Sequence, residues 1–159
     1  MSITIRIKTN YVVIPVITLI TMFLGGYFTW SGMQWYATLN LPFIVPQDWV
    51  FRTVWHVIYA FTTAAAILAF NRFERNFKFF MLMALFCVNA FLNVFWPYLF
   101  FYKHMIGYAL IDVLLLEAST LGLFVLTSHF SRAIALLLLP YATWNLFAIV
   151  LNFLIWRMN

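Results

Sequence analysis

The chain has 159 residues, of which 66% are hydrophobic, with only nine Lys or Arg and four Asp or Glu. Its mean hydropathy is +0.98. A soluble domain of this length needs a charged surface, so these values exclude one and point to a single domain, residues 1–159, whose surface suits lipid. The net charge of +5 is no sign of a nucleic-acid partner, because the basic residues flank apolar runs and read as topology signals.

The charges leave long gaps. No Asp, Glu, Lys or Arg falls between Lys8 and Asp48, Arg52 and Arg72, Lys78 and Lys103, Glu117 and Arg132, or Arg132 and Arg157. A bilayer core of about 30 Å takes about 20 apolar residues of helix. Backbone groups in lipid must be paired internally, which leaves helices or a closed barrel. A barrel would alternate apolar and polar residues in short segments. These runs are long and unbroken, so the fold class is all-α: a polytopic membrane protein built as a five-helix bundle.

The first span is predicted over residues 11–29, too long for a cleaved signal and therefore retained. It carries Thr21, Gly25 and Thr29 at four-residue spacing. Small residues so placed let backbones approach closely; an intramolecular seam is preferred to a homodimer face. A long aromatic segment with Pro42 and Pro46 follows, and long ordered loops often act as lids. The second span covers 49–70, where Arg52, Trp55, His56 and Tyr59 form an i, i+3, i+4, i+7 cluster. The third, 77–101, sets Asn89, Asn93 and Trp96 on one face. The fourth, 105–126, carries Tyr108 and Asp112 four apart, and Glu117 deep in an apolar run. The fifth, 133–156, places Tyr141, Trp144, Ala148 and Leu151 on one stripe, with Asn145 and Asn152 beside it. Arg6, Lys8, Arg72, Arg75, Lys78 and Arg132 lie at one end, against Arg52, Lys103 and Arg157 at the other. That bias predicts a cytoplasmic N-terminus with the long loop outside.

An interior of Trp, Tyr and Asn can hold a flat, mostly apolar ligand. The same residues serve as interfacial belts or helix-to-helix hydrogen bonds, and spacing alone does not choose between these readings. Metal sites need several converging donors. His56, His104 and His129 share no ligand spacing, so no metal site is expected, with His56 the one histidine weighed as a haem ligand. Cys87 is the only cysteine, which rules out an intrachain disulfide. No hydrolytic triad, phosphate loop or zinc motif is present.

Several motifs occur in a fixed order: Trp35-Tyr36-Ala37, Leu39, Pro42, Pro46, Trp49-Val50-Phe51, Val54-Trp55 and Tyr59; then Leu92-Asn93, Trp96-Pro97 and Phe100-Phe101; then Gly107, Ala109-Leu110 and Asp112; and last Pro140-Tyr141, Trp144, Phe147-Ala148 and Leu151-Asn152. Together they resemble the tryptophan-rich sensory protein/translocator protein family (TspO/MBR) from about Trp35 onward. The resemblance implies a five-helix bundle, often a homodimer, with a pocket under the first loop. That pocket would bind protoporphyrin IX or haem as ligand rather than obligatory cofactor, or other hydrophobic small molecules. The implied ligand-binding residues are Trp35, Trp55, Tyr59, Asn89, Asn93, Tyr108, Trp144 and Ala148. The implied role is a tetrapyrrole sensor, carrier or regulator. The alternative is light-dependent porphyrin breakdown with Trp55 and Trp144 as the catalytic candidates; otherwise no enzyme activity is implied. The expected location is a bacterial cell envelope rather than the mitochondrial outer membrane.

The chain departs from the family at Leu41-Pro42, where Lys-Pro is common, at Pro46-Gln47, where two prolines are common, and at Arg52-Thr53, where Gly-Pro is common. Arg52 could pair with a ligand carboxylate or with Asp48. The sterol motif at the end of the fifth span has Phe153 where Tyr is required, so cholesterol binding is expected to be weak.

Overall fold

The computed structural model describes residues 8–159; Arg6, counted above for topology, lies outside them. Five segments are long and apolar enough to cross a membrane: Asn10–Ser31, Asp48–Arg72, Phe77–Tyr102, Ile106–Ser128 and Arg132–Met158. They contain helices α1 (Asn10–Ser31), α3 (Asp48–Arg72), α4 (Phe77–Pro97), α5 (Ile106–Ser128), α6 (Arg132–Leu136) and α7 (Leu139–Met158), and a short helix α2 (Met33–Tyr36) lies in the first loop. No strand occurs among the described residues. Large apolar side chains such as Phe23, Phe61, Phe80, Phe91 and Leu146 stand exposed around the bundle. So much exposed apolar surface is compatible with lipid and not with water.

Local chemistry sets the helix ends. The Asn76 side chain accepts from the Phe79 N–H at 3.1 Å and caps α4. Ser131 does the same for α6, accepting from the Ile134 N–H at 3.4 Å. Both replace a backbone partner that the first turn lacks. The fifth span is not the unbroken helix the apolar run predicts. It breaks at Leu137 and Leu138, whose N–H groups donate three residues back to Ile134 and Ala135. Pro140 is the cause: its ring excludes the carbonyl four residues earlier, and it is tolerated only in the first turn of the helix that restarts. The third span ends in a π-helical turn, Tyr98–Tyr102, directly after Pro97. The Lys103 N–H donates to Tyr98 at 2.9 Å and the Met105 N–H to Leu99 at 2.9 Å. His104 then takes a φ of 58°, the left-handed region that a non-glycine residue rarely adopts.

The bundle closes in the order α1, α4, α5, α7, with α3 touching α1 most and α4, α6 and α7 only sparsely. Two apolar clusters cap the ends. At the α3–α4 connection, Ala65, Ala69, Phe79, Leu82, Leu123, Ile134 and Leu138 pack together. Under the first loop, Leu99, Phe100, Phe101, Ala109, Leu151 and Ile155 meet the loop residues Trp35, Tyr36, Leu39, Ile44 and Val45. The small-residue stripe of α1 is an intramolecular seam. Thr21 and Gly25 are buried, and a Cβ on Gly25 would stand 3.7 Å from Pro97 and 3.9 Å from the Tyr59 hydroxyl.

Gly32 joins α1 to α2 against the π-helical turn. A Cβ there would run into the Phe101 carbonyl oxygen and stand 2.6 Å from its carbon and 2.8 Å from its Cα. Backbone cannot yield as a flexible side chain does. Gly32→Ala is therefore expected to cost about 2–3 kcal/mol, the upper part of the overpacking range. Gly26→Ala, where a Cβ meets nothing within 4 Å, should leave stability unchanged or slightly raised. Thermal unfolding of both variants in one detergent checks the contrast.

Candidate ligand site

The bundle centre is polar and connected. The Tyr59 hydroxyl on α3 donates to Asn93 Oδ1 at 2.6 Å. Asn93 Nδ2 donates to the Tyr141 hydroxyl at 2.6 Å, and that hydroxyl donates to Asn89 Oδ1 at 3.1 Å. Asn89 Nδ2 donates to Ser119 Oγ at 2.8 Å and Thr120 Oγ1 at 3.1 Å. Asn145 Nδ2 joins at Thr120 Oγ1, 3.2 Å away. Four helices, α3, α4, α5 and α7, are thus tied by side chains that would otherwise be stranded in hydrocarbon. Sequence spacing singled out Asn89, Asn93, Tyr141 and Asn145 but not Ser119 and Thr120, whose hydroxyls also bond the Leu116 carbonyl and look locally satisfied.

Two cavities flank this layer. The one on the loop side is small, about 10 Å³, and is lined by Phe51, Trp55, Asn93, Trp96, Val113, Leu116, Asn145 and Ala148. Trp55 lies 5.7 Å from Tyr59 and 6.2 Å from Tyr141, ring to ring. Trp144 stands behind this wall with its ring edge-on to Phe51 at 5.2 Å. Its indole N–H is buried and has no partner, and neither does Asn145 Oδ1. By contrast, the Trp96 indole donates to Asn152 Oδ1 at 2.9 Å. The other cavity, about 230 Å³, lies between α1, α3 and α4 and is also bordered by Tyr59, Asn89, Asn93 and Tyr141.

The expected ligand residues therefore divide. Trp55, Asn93 and Ala148 meet at the small cavity, with Trp144 adjoining; Tyr59, Asn89 and Asn93 border the large one. Trp35 sits in the loop, stacked on His104 at 4.1 Å and edge-on to Phe100 at 5.9 Å. Tyr108 is not in the interior: it is 62% exposed and shares an outward stripe with Ile111 and Leu115, so its four-residue spacing from buried Asp112 does not bring it inside. The cluster on α3 divides as well. Trp55 and Tyr59 turn inward, while Arg52 and His56 are exposed. His56 Nδ1 lies 2.6 Å from the Arg52 carbonyl. Among the described residues no group of three His, Cys, Asp or Glu side chains is placed to hold a metal ion. Glu117 is buried against the bundle with neither carboxyl oxygen hydrogen-bonded, and one oxygen of Asp112 is likewise unpartnered.

The loop is held at several points. The Asn40 N–H donates to Asn159 Oδ1 at 2.9 Å and the Asn159 amide returns a bond to the Asn40 carbonyl at 3.1 Å. Tyr36 packs on Phe100 and Phe101. Burial pushes its phenol up from the ordinary tyrosine value, and Asp48 adds to the shift, so the hydroxyl stays neutral.

A five-span helical bundle with an aromatic interior beneath a folded loop defines the class. The chain belongs to the TspO/MBR family, whose family model matches residues 12–157. It is 34% identical to the tryptophan-rich protein TspO of Archaeoglobus fulgidus, over 86% of this chain and 88% of that one. It is 32% identical to the translocator protein of Homo sapiens, over 86% and 82%, and 28% identical to protein CrtK of Rhodobacter capsulatus, over 81% of each.

Tyr141 is the hinge of the polar layer, since its hydroxyl serves both asparagines of α4. Tyr141→Phe keeps the ring and strands the Asn93 donor and the Asn89 acceptor. The expected loss is about 1–3 kcal/mol, or at least about 2–4 °C in melting temperature for a chain of this size. Differential scanning fluorimetry in detergent reads it. An unchanged melting temperature would show that the layer adds nothing to the fold.

Proposed function

We propose that this protein binds tetrapyrroles and related flat hydrophobic molecules beneath the first loop, as a membrane sensor, carrier or regulator. The observation that carries the reading is the unpartnered indole N–H of Trp144. Buried indoles normally find an acceptor, and this one lies beside Phe51 and Phe147, where a planar ligand with a carbonyl or carboxylate oxygen would supply it. The family resemblance supports the same ligand class. A void of about 10 Å³ takes no porphyrin as it stands, so binding on this reading displaces the loop and parts Phe51, Trp55 and Ala148. Arg52, exposed one turn before Trp55 and His56, is free to meet a propionate at the rim. We place the N-terminus in the cytoplasm, on Lys8, Arg72, Arg75, Lys78 and Arg132 at that end of the spans.

The test is a titration of purified protein with protoporphyrin IX, followed by the Soret band. Trp144→Phe keeps the aromatic wall and removes the donor. One net hydrogen bond of about 0.5–1.5 kcal/mol corresponds to a roughly two- to twelvefold rise in Kd. Wild type that fails to bind sinks the proposal, and equal affinity in the variant removes Trp144 from it. Pigment analysis of the bound sample after illumination separates binding alone from porphyrin breakdown.

A further inference from the structure

The larger cavity lies in the opposite half of the bundle from the loop. Its walls come from Val13–Thr21 in the first half of α1, Ile58–Phe70 in the second half of α3, and Met83–Asn93 of α4, with Tyr141 at its inner end. Trp55, Trp96 and Ala148 do not border it, and Asn93 alone borders both voids. Its volume of about 230 Å³ is larger than the roughly 150 Å³ of a buried apolar void that admits benzene. Val13 and Ile17 in its wall are 46% and 43% exposed, and Cys87 is exposed too. The cavity therefore opens sideways between helices, toward lipid, and not toward the loop.

Its chemistry is selective. No Asp, Glu, Lys, Arg or His lines it. A carboxylate, phosphate or ammonium entering it would meet no counter-charge and would lose its hydration. The polar groups present are nearly all engaged. Thr18 donates to the Ile14 carbonyl at 3.2 Å and meets Thr63 at 2.8 Å, Thr21 donates to the Ile17 carbonyl at 3.0 Å, and Tyr59, Asn89, Asn93 and Tyr141 are bonded within the central layer. Thr62 is the exception. Its hydroxyl is buried in the cavity wall and has no partner, although a helical threonine can bond the carbonyl four residues back, as Thr18 and Thr21 do. A stranded buried hydroxyl asks for an explanation, and a ligand oxygen supplies one.

We propose that this cavity is a second binding site, separate from the loop-side site, for an uncharged apolar molecule of one to a few rings carrying a single hydroxyl or carbonyl oxygen. The molecule enters laterally from the bilayer, its hydrocarbon body lies between α1 and α4, and its oxygen meets Thr62 Oγ1. The site does not depend on tetrapyrrole binding, and its test reads a different part of the protein.

The chain carries its own reporter, because Cys87 lines the cavity and is its only cysteine. The rate of Cys87 alkylation by N-ethylmaleimide is measured in lipid nanodiscs, with 1-adamantanol, adamantane or adamantane-1-carboxylate added at equal membrane concentration. The alcohol is expected to slow alkylation severalfold, the hydrocarbon less, and the carboxylate not at all. Thr62→Val, which keeps the shape and removes the hydroxyl, should erase the advantage of the alcohol over the hydrocarbon. Ala66→Leu, which puts bulk into the void, should abolish protection by both while leaving protoporphyrin IX affinity unchanged. The proposal is overturned if the alcohol gives no protection, if the carboxylate protects as well as the alcohol, or if protection survives both substitutions.

Discussion

The chain of hydrogen bonds from Tyr59 through Asn93, Tyr141 and Asn89 to Ser119 and Thr120 is the constraint on which the rest of the bundle depends. Helices in lipid gain nothing from hiding apolar side chains from water, because lipid already does so. Their register comes from close packing and from polar groups that must find one another. Asn89 and Asn93, one turn apart on α4, supply amides that reach α3, α5 and α7 at a single depth. Moving α4 or α7 by a residue would leave several buried donors and acceptors empty at once. The relay is therefore worth more as a device for register than as a sum of modest bonds.

That layer also explains where space is left. α4, α5 and α7 pack tightly, whereas α3 leans on α1 and reaches the others through Tyr59 in the polar layer and the apolar cluster around Ala65 and Ala69. Above the layer, Trp55, Phe51, Trp96 and Phe100 are bulky enough to close most of the gap. Below it, α3 presents Thr62, Thr63 and Ala66. These side chains are too short to span to α4, and the void stays open. One loosely held wall with large residues at one end and small ones at the other yields a nearly closed cavity and an open one.

The five spans were legible because charge gaps of bilayer length leave little choice of fold. Their predicted limits fall within about two residues of the observed ends, as expected when polar residues at the interface stop a helix. The break at Leu137 and Leu138 was not legible, since Pro140 permits either a kink within a helix or a fresh start. Pro140 forces the interruption, and the burial of Ile134 and Leu138 in the cluster on either side of it fixes the fresh start. The inward set on α7 could be read because Asn145 and Asn152, seven residues apart, and Tyr141, one turn before Asn145, carry polar groups that must face away from lipid. Tyr108 was misplaced for the complementary reason: an amphipathic aromatic is as content at the lipid surface as inside, so its type carries no direction. Thr62 was invisible, because a threonine in a helix is normally self-satisfied and only the folded structure shows which one is not.

The loop is fixed more lightly than the bundle it covers. Its polar ties are the paired amides of Asn40 and Asn159, and its aromatic tie is the stack of Trp35 on His104, beside the contacts of Leu39, Ile44 and Val45 with the cluster below. Each hydrogen bond or aromatic pair of this kind is worth about 0.5–1.5 kcal/mol, and the amides are exposed and can exchange with water. His104 owes its position to the π-helical turn after Pro97, which lifts the chain out of the helix and aims the ring at Trp35. The rigid part of the cap thus belongs to α4, and the movable part to the loop. Swinging the loop away breaks the Asn40–Asn159 pair and the Trp35 stack but none of the bonds in the central relay. That movement uncovers the way to Trp144 while the spans keep their register.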